Sequence, residues 1–289
     1  MIILPDSSYI IELILSKKDF LPKKQKILCE YIVENYNTIG LLTITGLADK
    51  AGVGTTTVMR VIKTLGYEGF NEFKKEFHHF TINSGAPAWW HLQKAFEASD
   101  SEVELTRVEK SWKEINNVLN ETLNETVINN IDKAVQLILD CKIINVLGLR
   151  TCKVAAIYFE NLLTEFYPKT RQLSYEGEFI FDRILQFKEG DLLVIFANSP
   201  FTTLTLKAAE YCYEKGHPII LITDDYTCPI ISHAEVVLYT KASDKQYTIV
   251  PTIALLESLV IEIGKRTKEH SIEHLEKLGE LLKRKNITI

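Results

Sequence analysis

The sequence lacks any pair of cysteines at the spacing of a metal site or a disulfide framework. Its cysteines are scattered, with no CxxC pair and no histidine pairing nearby. This scatter argues against a zinc site and is typical of a protein from a reducing compartment. The five positions are Cys29, Cys141, Cys152, Cys212 and Cys228.

Long apolar runs and nucleotide-binding loops are also absent. No stretch reaches the roughly 18 to 20 apolar residues that a membrane span needs. The short apolar run near the start has no basic region before it and no small-residue cleavage site after it. No GxGxxG follows a strand pattern and no Walker-type loop is present. We therefore expect a cytoplasmic protein with no membrane attachment and no cofactor.

The charge of the chain is unevenly distributed. The 289 residues carry a net charge of -5, yet residues 50–75 contain five lysines and arginines against two glutamates. A basic patch on an otherwise acidic chain is typical of an anion-binding module joined to a second domain. Chance clustering in so short a window is the alternative.

The stretch GLADKAGVGTTTVMRVIKTLGYEGF has the pattern of two helices joined by a tight turn. Thr43 or Thr45 can cap a short first helix, and Gly52 supplies the turn. A second helix is predicted to start at Gly54 or Thr55. Its apolar face consists of Val58, Val61, Ile62 and Leu65. This is a helix-turn-helix pattern, in which the second helix enters the DNA major groove.

The opposite face of this second helix is hydroxylated and basic. At about 100° per residue, Thr56, Arg60 and Lys63 fall together on it, with no acidic residue among them. Thr55 and Thr57 lie beside them at the helix start, where short hydroxyls can reach phosphate or base edges. We predict DNA binding through these five residues. The alternative is a structural αα-hairpin with a run of capping threonines.

From residue 142 onward, short apolar runs alternate with helical patterns. The β-branched runs span 142–148, 191–197, 218–223 and 235–240. Their alternation with helices predicts a doubly wound α/β domain whose parallel sheet is covered on both faces. The N-terminal domain is predicted to be all-α. The predicted boundaries are 1–80 for the helix-turn-helix domain, 81–105 for a linker and 106–289 for the α/β domain.

Hydroxyl-rich loops follow three of the predicted strands. They span 148–153, 197–203 and 223–229. Parallel sheets bind ligands beyond the carboxyl ends of their strands, next to helix N-termini. A phosphate group can accept hydrogen bonds from the hydroxyls of Thr151, Ser199 and Thr202 and pair with the charge of Arg150. Since serine and threonine are also ordinary helix caps, a purely structural role is the alternative.

The residues around the helix-turn-helix pattern closely resemble the signature of RpiR-type bacterial transcriptional regulators. The family pattern is LA-x-x-AGVS-x-x-T-V-x-R followed by LG-[FY]-x-G-[FY]-x-x-FK. The matching positions are Leu47, Ala48, Ala51, Gly52, Val53, Thr57, Val58, Arg60, Leu65, Gly66, Tyr67, Gly69, Phe70, Phe73 and Lys74. Gly54 stands where the family has serine. The second half is similar to the sugar isomerase (SIS) domain of that family.

The resemblance implies a regulator of sugar metabolism genes that binds a double-stranded DNA operator and senses a phosphorylated sugar. It also implies assembly through the SIS domains. Helix-turn-helix regulators read two half-sites, so we expect a homodimer or a homotetramer. The apolar segment 249–263 is one predicted subunit surface.

The SIS-like loops depart from the family pattern. Thr151 and Cys152 stand where the GLRSS variant has two serines, which adds Cys152 to the ligand-binding residues implied by the resemblance. The second loop runs from Ala197 to Thr202 against the pattern S-x-S-G-x-T, and Pro200 lacks an N–H that could hold a phosphate. A degenerate SIS domain used only for oligomerisation is therefore an alternative.

A phosphosugar isomerase is the rival class of function. Isomerisation needs a base within hydrogen-bond reach of the substrate carbon, usually a glutamate or a histidine. The candidates are Glu257, Glu262, His217 and His233. The sequence positions of these four residues do not bring them together at one pocket, so we expect no catalytic residue and no enzyme activity.

Overall fold

The computed structural model describes residues 9–40, 42–77, 96, 106–243 and 245–287. The chain divides into two compact units. One comprises residues 1–98 with 244–246, and the other comprises 99–243 with 247–289. Apart from Phe96, the predicted linker lies outside the described residues. Within the described ranges, no helix is long and apolar enough to cross a membrane.

The first unit is helical in the part of it that the structure describes. Its α-helices are α1 (Tyr9–Lys17), α2 (Lys23–Glu34), α3 (Tyr36–Ile39), α4 (Ile44–Lys50), α5 (Thr55–Leu65) and α6 (Phe70–Lys75). Helix α1 was not predicted from the sequence. Ile10, Ile11 and Ile14 of this helix are buried, so the apolar run near the start of the chain is a core element.

A single apolar cluster holds these helices together. Leu28 of α2, Leu47 of α4 and Val61 of α5 are fully buried in it. Phe73 and Phe77 belong to the same cluster, with their ring centroids 5.0 Å apart. The buried face of α5 is thus fixed by several neighbours, which leaves its other face to solvent.

The second unit is a doubly wound α/β domain, as predicted. Its strands are β1 (Ile144–Gly148), β2 (Thr170–Gln172), β3 (Leu192–Phe196), β4 (Ile219–Thr223) and β5 (Val236–Tyr239). Its α-helices are α7 (Arg107–Thr122), α8 (Glu125–Asp140), α9 (Lys153–Thr164), α10 (Ile180–Ile184), α11 (Thr203–Glu214), α12 (Val250–Arg266) and α13 (Lys268–Arg284). The strands lie in the order β2-β1-β3-β4-β5, and every neighbouring pair is parallel.

The short edge strand β2 was not predicted. It pairs with β1 from Thr170 opposite Ile144 to Gln172 opposite Val146. Its three residues are polar, and only Gln172 is buried. An edge strand has one paired side and is often short and polar, so no apolar run marks it in the sequence.

Both faces of the sheet are covered. On one face, α8, α9 and α12 pack around Val146 and Val194. On the other face, α10 and α11 pack around Leu147 and Ile195. Successive strand residues point to opposite faces, and here both faces are buried. This explains why the strands read as continuous apolar runs.

The segment predicted as a subunit surface belongs mainly to this core. Its residues Leu255, Leu256, Leu259 and Ile263 are buried. The reason is that α12 packs against α8 and α9, which contribute to the same cluster. Val250 and Ile261 of the segment remain exposed.

Candidate functional site

The solvent face of α5 carries the side chains predicted to contact DNA. Thr56, Arg60 and Lys63 are all exposed, whereas Val61 and Ile62 on the opposite face are 0% exposed. The helix contains no acidic residue. A helix with this division of residues can enter a groove with its basic face while its apolar face stays in the protein core.

The start of α5 adds backbone donors to this face. Gly54 is the N-cap residue and provides no side-chain cap. Thr55 is exposed and Thr57 is half-buried, so these hydroxyls flank the central face. N–H groups at a helix start that lack a side-chain cap can donate hydrogen bonds to a phosphate oxygen.

The cap of α4, the turn before α5 and a hydrogen bond from α1 position the recognition helix. The Thr43 side chain accepts a hydrogen bond from the Gly46 N–H at 3.0 Å, which confirms the predicted cap of α4. Gly52 has φ +65° in the turn, as predicted. The Lys17 ammonium donates to the Thr64 carbonyl at 2.8 Å, close to the C-terminus of α5. A cation is favourable at that end of a helix.

The two main ligand loops predicted from the sequence follow β1 and β3, where the strand order of the sheet reverses. In a sheet of this order, the chain leaves these two strands toward opposite faces, which opens a crevice at their carboxyl ends. Helices α9 and α11 begin at that edge. The structure therefore brings five predicted residues to one edge, namely Arg150, Thr151, Cys152, Ser199 and Thr202.

Gly148 determines the path of the first loop. A β-carbon at this position would lie 2.6 Å from the Cys152 carbonyl oxygen and 2.9 Å from the Ala156 β-carbon. Only glycine allows α9 to approach β1 so closely. Arg150 follows with φ +54°. Arg150 and Thr151 are exposed and Cys152 is buried, so the first two face solvent and the thiol lies beneath them.

A chain of buried hydrogen bonds joins the end of β1 to β2. The Gly148 N–H donates to the Ser174 hydroxyl at 2.9 Å, and this hydroxyl donates to Gln172 Oε1 at 2.6 Å. Gln172 Nε2 then donates to the Ala156 carbonyl at 3.1 Å. Buried polar groups that are satisfied in this way make the edge rigid.

Part of the backbone of the second loop is already hydrogen-bonded within the protein. The Ala197 N–H donates to the Ile222 carbonyl at 3.0 Å. Burial raises the pKa of the nearby Cys152 thiol to about 12, and the Asn198 N–H opposes this rise. The Ser199 N–H donates to Asp224 Oδ1 at 3.0 Å. Pro200 has no N–H. Three positions of this described loop, Ala197, Ser199 and Pro200, therefore present no unoccupied backbone donor.

Two hydroxyls of the second loop remain reachable from the edge. Ser199 and Thr202 are half-buried. Thr202 is the N-cap residue of α11, and its side chain makes no hydrogen bond to the first turn. The first turn of α11 thus lacks a side-chain cap, which favours an anionic group nearby.

The hydroxyls of the third loop form hydrogen bonds within the protein. The Thr223 hydroxyl donates to the Ala197 carbonyl at 2.6 Å. The Thr227 hydroxyl and N–H both donate to Asp225 Oδ1, at 2.6 and 2.8 Å. Both threonines are buried. In this loop, the hydroxyls therefore have a structural role and are not available to a ligand.

Asp224 and Tyr247 lie at the same edge and were not predicted. Asp224 directly follows β4 and reaches across to Ser199. Burial raises the pKa of Tyr247, and the negative charge of Asp224 adds to the rise, whereas a hydrogen bond with Thr151 opposes it. Asp224 was visible in the sequence as an acid after a strand. Tyr247 lies in a segment without strand or helix periodicity, so no pattern marks it.

The two glutamates considered as isomerase bases lie on α12 with different neighbours. Glu257 accepts a hydrogen bond from the Tyr158 hydroxyl at 2.7 Å. Glu262 forms an ion pair with Arg266 at 3.0 Å. Each carboxylate is thus already engaged on the helix surface.

The two candidate histidines lie at the other end of the sheet. His217 precedes β4, and its ring packs edge-on against Phe187 at 5.3 Å. His233 precedes β5 and stacks on Tyr213 at 4.6 Å. Because residues that precede parallel strands lie at the amino edge, neither imidazole reaches the loops at the carboxyl edge.

Comparisons with known proteins match both parts of the chain. Residues 9–80 match the helix-turn-helix domain of the rpiR family. Residues 137–262 match the SIS domain.

Two related sequences are helix-turn-helix-type transcriptional regulators. One, from Clostridium perfringens, is 25% identical over 263 residues, which cover 87% of this chain and 90% of the relative. The other, from Haemophilus influenzae, is 21% identical over 218 residues, which cover 75% of each chain.

Two solved structures share the fold. The Vibrio vulnificus NanR protein complexed with ManNAc-6P has a TM-score of 0.60 at 17% identity and covers 94% of this chain and 97% of its own. The sugar isomerase domain of an RpiR transcription factor from Sphaerobacter thermophilus has a TM-score of 0.53 at 22% identity. That match covers 60% of this chain and 96% of the domain.

Proposed function

Since it joins a helix-turn-helix domain of the rpiR family to a SIS domain, this chain belongs to the RpiR-type transcriptional regulators, and we propose that it binds a double-stranded DNA operator through α5. One observation carries the proposal. Thr56, Arg60 and Lys63 form an exposed face without acids, opposite a face that is buried in the core. This division of residues is the one that a recognition helix requires.

The five predicted residues take different roles in this proposal. Arg60 has the reach and the paired donors to contact a base edge, and Lys63 neutralises a phosphate. The hydroxyls of Thr55, Thr56 and Thr57 contact phosphate or base edges at the helix start. The regulator acts on DNA in the cytoplasm.

The test of DNA recognition is selection of bound duplexes from a random double-stranded library. A specific regulator enriches a sequence with two half-sites about one helical turn apart. Retention of DNA without any enriched sequence would contradict operator binding.

For the SIS domain, we propose a phosphorylated sugar as effector, bound without turnover at the carboxyl edge between β1 and β3. NanR, which shares the fold, was solved with ManNAc-6P. Arg150, Thr151, Ser199 and Thr202 are the proposed contacts, because they are exposed or half-buried at that edge. Cys152 is buried beneath them.

A screen of phosphorylated sugars and amino sugars by thermal shift tests the effector. A ligand that binds only the folded state raises the melting temperature with concentration. If the whole panel leaves the melting temperature unchanged, a SIS domain used only for oligomerisation becomes the better proposal. The Ser199 N–H, which already donates to Asp224, and Pro200, which has no N–H, favour that second candidate.

The proposed assembly is a homodimer or a homotetramer, with domains at 1–80 and 106–289 and a linker at 81–105. Two half-sites require two recognition helices, which is the reason to expect at least a dimer. Light scattering on the purified protein measures the assembly, and a monomer at micromolar concentration would contradict it.

A further inference from the structure

We propose that the carboxylate of Asp224 is an internal competitor for the anion position between β1 and β3, which a phosphate group must displace in order to bind. The inference rests on the proposed effector site. Asp224 directly follows β4, the strand beside β3. Its Oδ1 accepts the Ser199 N–H at 3.0 Å and thereby joins the ends of the two strands.

The bond between Asp224 and Ser199 is the strongest one that an incoming anion would meet in the second loop. The Asn198 N–H lies near the Cys152 sulfur. Because burial raises the pKa of Cys152 to about 12, its thiol is neutral near pH 7 and is a weak acceptor. A carboxylate acceptor forms a charge-assisted bond, which is roughly twice as strong as a neutral one.

Charge repulsion adds to this competition. A phosphate monoester carries about -1.5 to -2 charges near neutral pH. Placed at the Ser199 N–H, it would lie beside the Asp224 carboxylate, and like charges at such distances repel each other. One N–H also cannot donate a full hydrogen bond to both anions at once.

The consequence is selectivity against small anions. Inorganic phosphate has nothing except its charge and hydrogen bonds with which to displace the carboxylate. A phosphorylated sugar adds contacts from its ring, which offset the cost of moving Asp224. The proposed site therefore responds to a sugar phosphate in the presence of inorganic phosphate.

The experiment uses the full-length protein and three variants. Asp224→Asn removes the charge and keeps an oxygen that can accept the Ser199 N–H. Asp224→Ala removes the acceptor as well. Asp140→Asn removes the same charge from an exposed position at the end of α8, which precedes β1 at the opposite edge of the sheet.

Calorimetry with inorganic phosphate and with glucosamine 6-phosphate measures the effect. We expect both Asp224 variants to bind inorganic phosphate at least about tenfold more tightly than the wild type. Asp140→Asn should bind it like the wild type. Thermal unfolding shows whether each variant is folded. If Asp224→Ala is unfolded, the test relies on Asp224→Asn, which is nearly isosteric with the wild type.

The possible outcomes separate this inference from the proposed effector. Binding by the Asp224 variants where the wild type shows no heat supports the inference. Unchanged affinity for glucosamine 6-phosphate and for inorganic phosphate in all proteins overturns it and leaves the effector site in place. Weaker binding by the Asp224 variants also overturns it, since Asp224 would then contact the ligand. Absence of binding in every protein removes both proposals.

Discussion

Gly148 and Cys152 lie so close together that a β-carbon on Gly148 would stand 2.6 Å from the Cys152 carbonyl oxygen. The same atom would stand 2.9 Å from the Ala156 β-carbon in the first turn of α9. A packed backbone cannot give way by this amount without moving the loop that carries Arg150 and Thr151. The glycine at the end of β1 therefore determines where the first loop lies.

Gly148→Ala should lower the free energy of unfolding of the second unit by about 1 to 3 kcal/mol. The physical reason is overpacking, because the added methyl group overlaps backbone and not a flexible side chain. Urea unfolding followed by circular dichroism measures the change. Gly279→Ala on α13 is the matched control. The space around Gly279 is open, and alanine in a helix should there add up to about 1 kcal/mol. A Gly148→Ala protein as stable as the wild type would contradict the close approach.

The cysteine thiols should be unreactive in the folded protein. All five are free and buried. Burial raises their pKa values, to about 11 for Cys29 and Cys141 and to about 12 for Cys152, Cys212 and Cys228. A higher pKa means less thiolate at a given pH, and the thiolate is the nucleophile. A colorimetric disulfide reagent at pH 8 should therefore label almost no thiol until denaturant is added. Fast labelling of the native protein would be the contrary result.

The elements predicted well from the sequence are those in which periodicity and burial agree. Val61 and Ile62 of α5 are both periodic and fully buried. Three of the four apolar strands, β1, β3 and β4, are buried on both faces, so each reads as a continuous run. In these places local pattern and tertiary packing point to the same structure.

The elements that were missed depend on contacts distant in sequence. The polar edge strand β2 exists because β1 pairs with it, and nothing in its own residues requires a strand. Asp224 matters because Ser199, twenty-five positions earlier, donates to it across the ends of two strands. Phosphate is usually bound by hydroxyls, N–H groups and cations, so an acid such as Asp224 does not mark a phosphate site in the sequence.

Arg60→Ala should weaken operator binding. If Arg60 contacts a base, the loss should be about 1 to 3 kcal/mol and should relax the preference at that position. If it contacts phosphate, the loss should be similar for all sequences. A mobility-shift titration with the selected operator and a scrambled duplex distinguishes these cases. Lys24→Ala on α2, an exposed cation on another helix, is the control. Equal affinity of the wild type and Arg60→Ala would remove Arg60 from the interface.

Lys63→Ala should mainly change the salt dependence of binding. Each phosphate contact releases condensed counterions, so the slope of log K against log salt should become shallower by about 0.9 for one lost contact. Lys63 is exposed on the same face as Arg60, which gives it access to the DNA backbone. Titrations at several salt concentrations give the slope. A slope identical to that of the wild type would mean that Lys63 does not neutralise a phosphate.

Loss of the two hydroxyls at the start of α11 should weaken binding of a phosphorylated sugar. Hydrogen bonds to a charged group contribute about 1.5 to 3 kcal/mol each, so Ser199→Ala plus Thr202→Ala should lower the affinity for glucosamine 6-phosphate at least about tenfold. The substitutions leave the Ser199 N–H and its bond to Asp224 in place, so the effect reports on the hydroxyls alone.

The matched control for this double variant is Thr164→Ala plus Ser232→Ala. It removes one threonine and one serine hydroxyl from exposed positions at the end of α9 and before β5, at the opposite edge of the sheet. Calorimetry compares both double variants with the wild type. Equal affinity of all three proteins would move the site away from the start of α11. Absence of heat with any phosphosugar would favour a SIS domain that serves oligomerisation, since the wild-type hydroxyls would then have no ligand to bind.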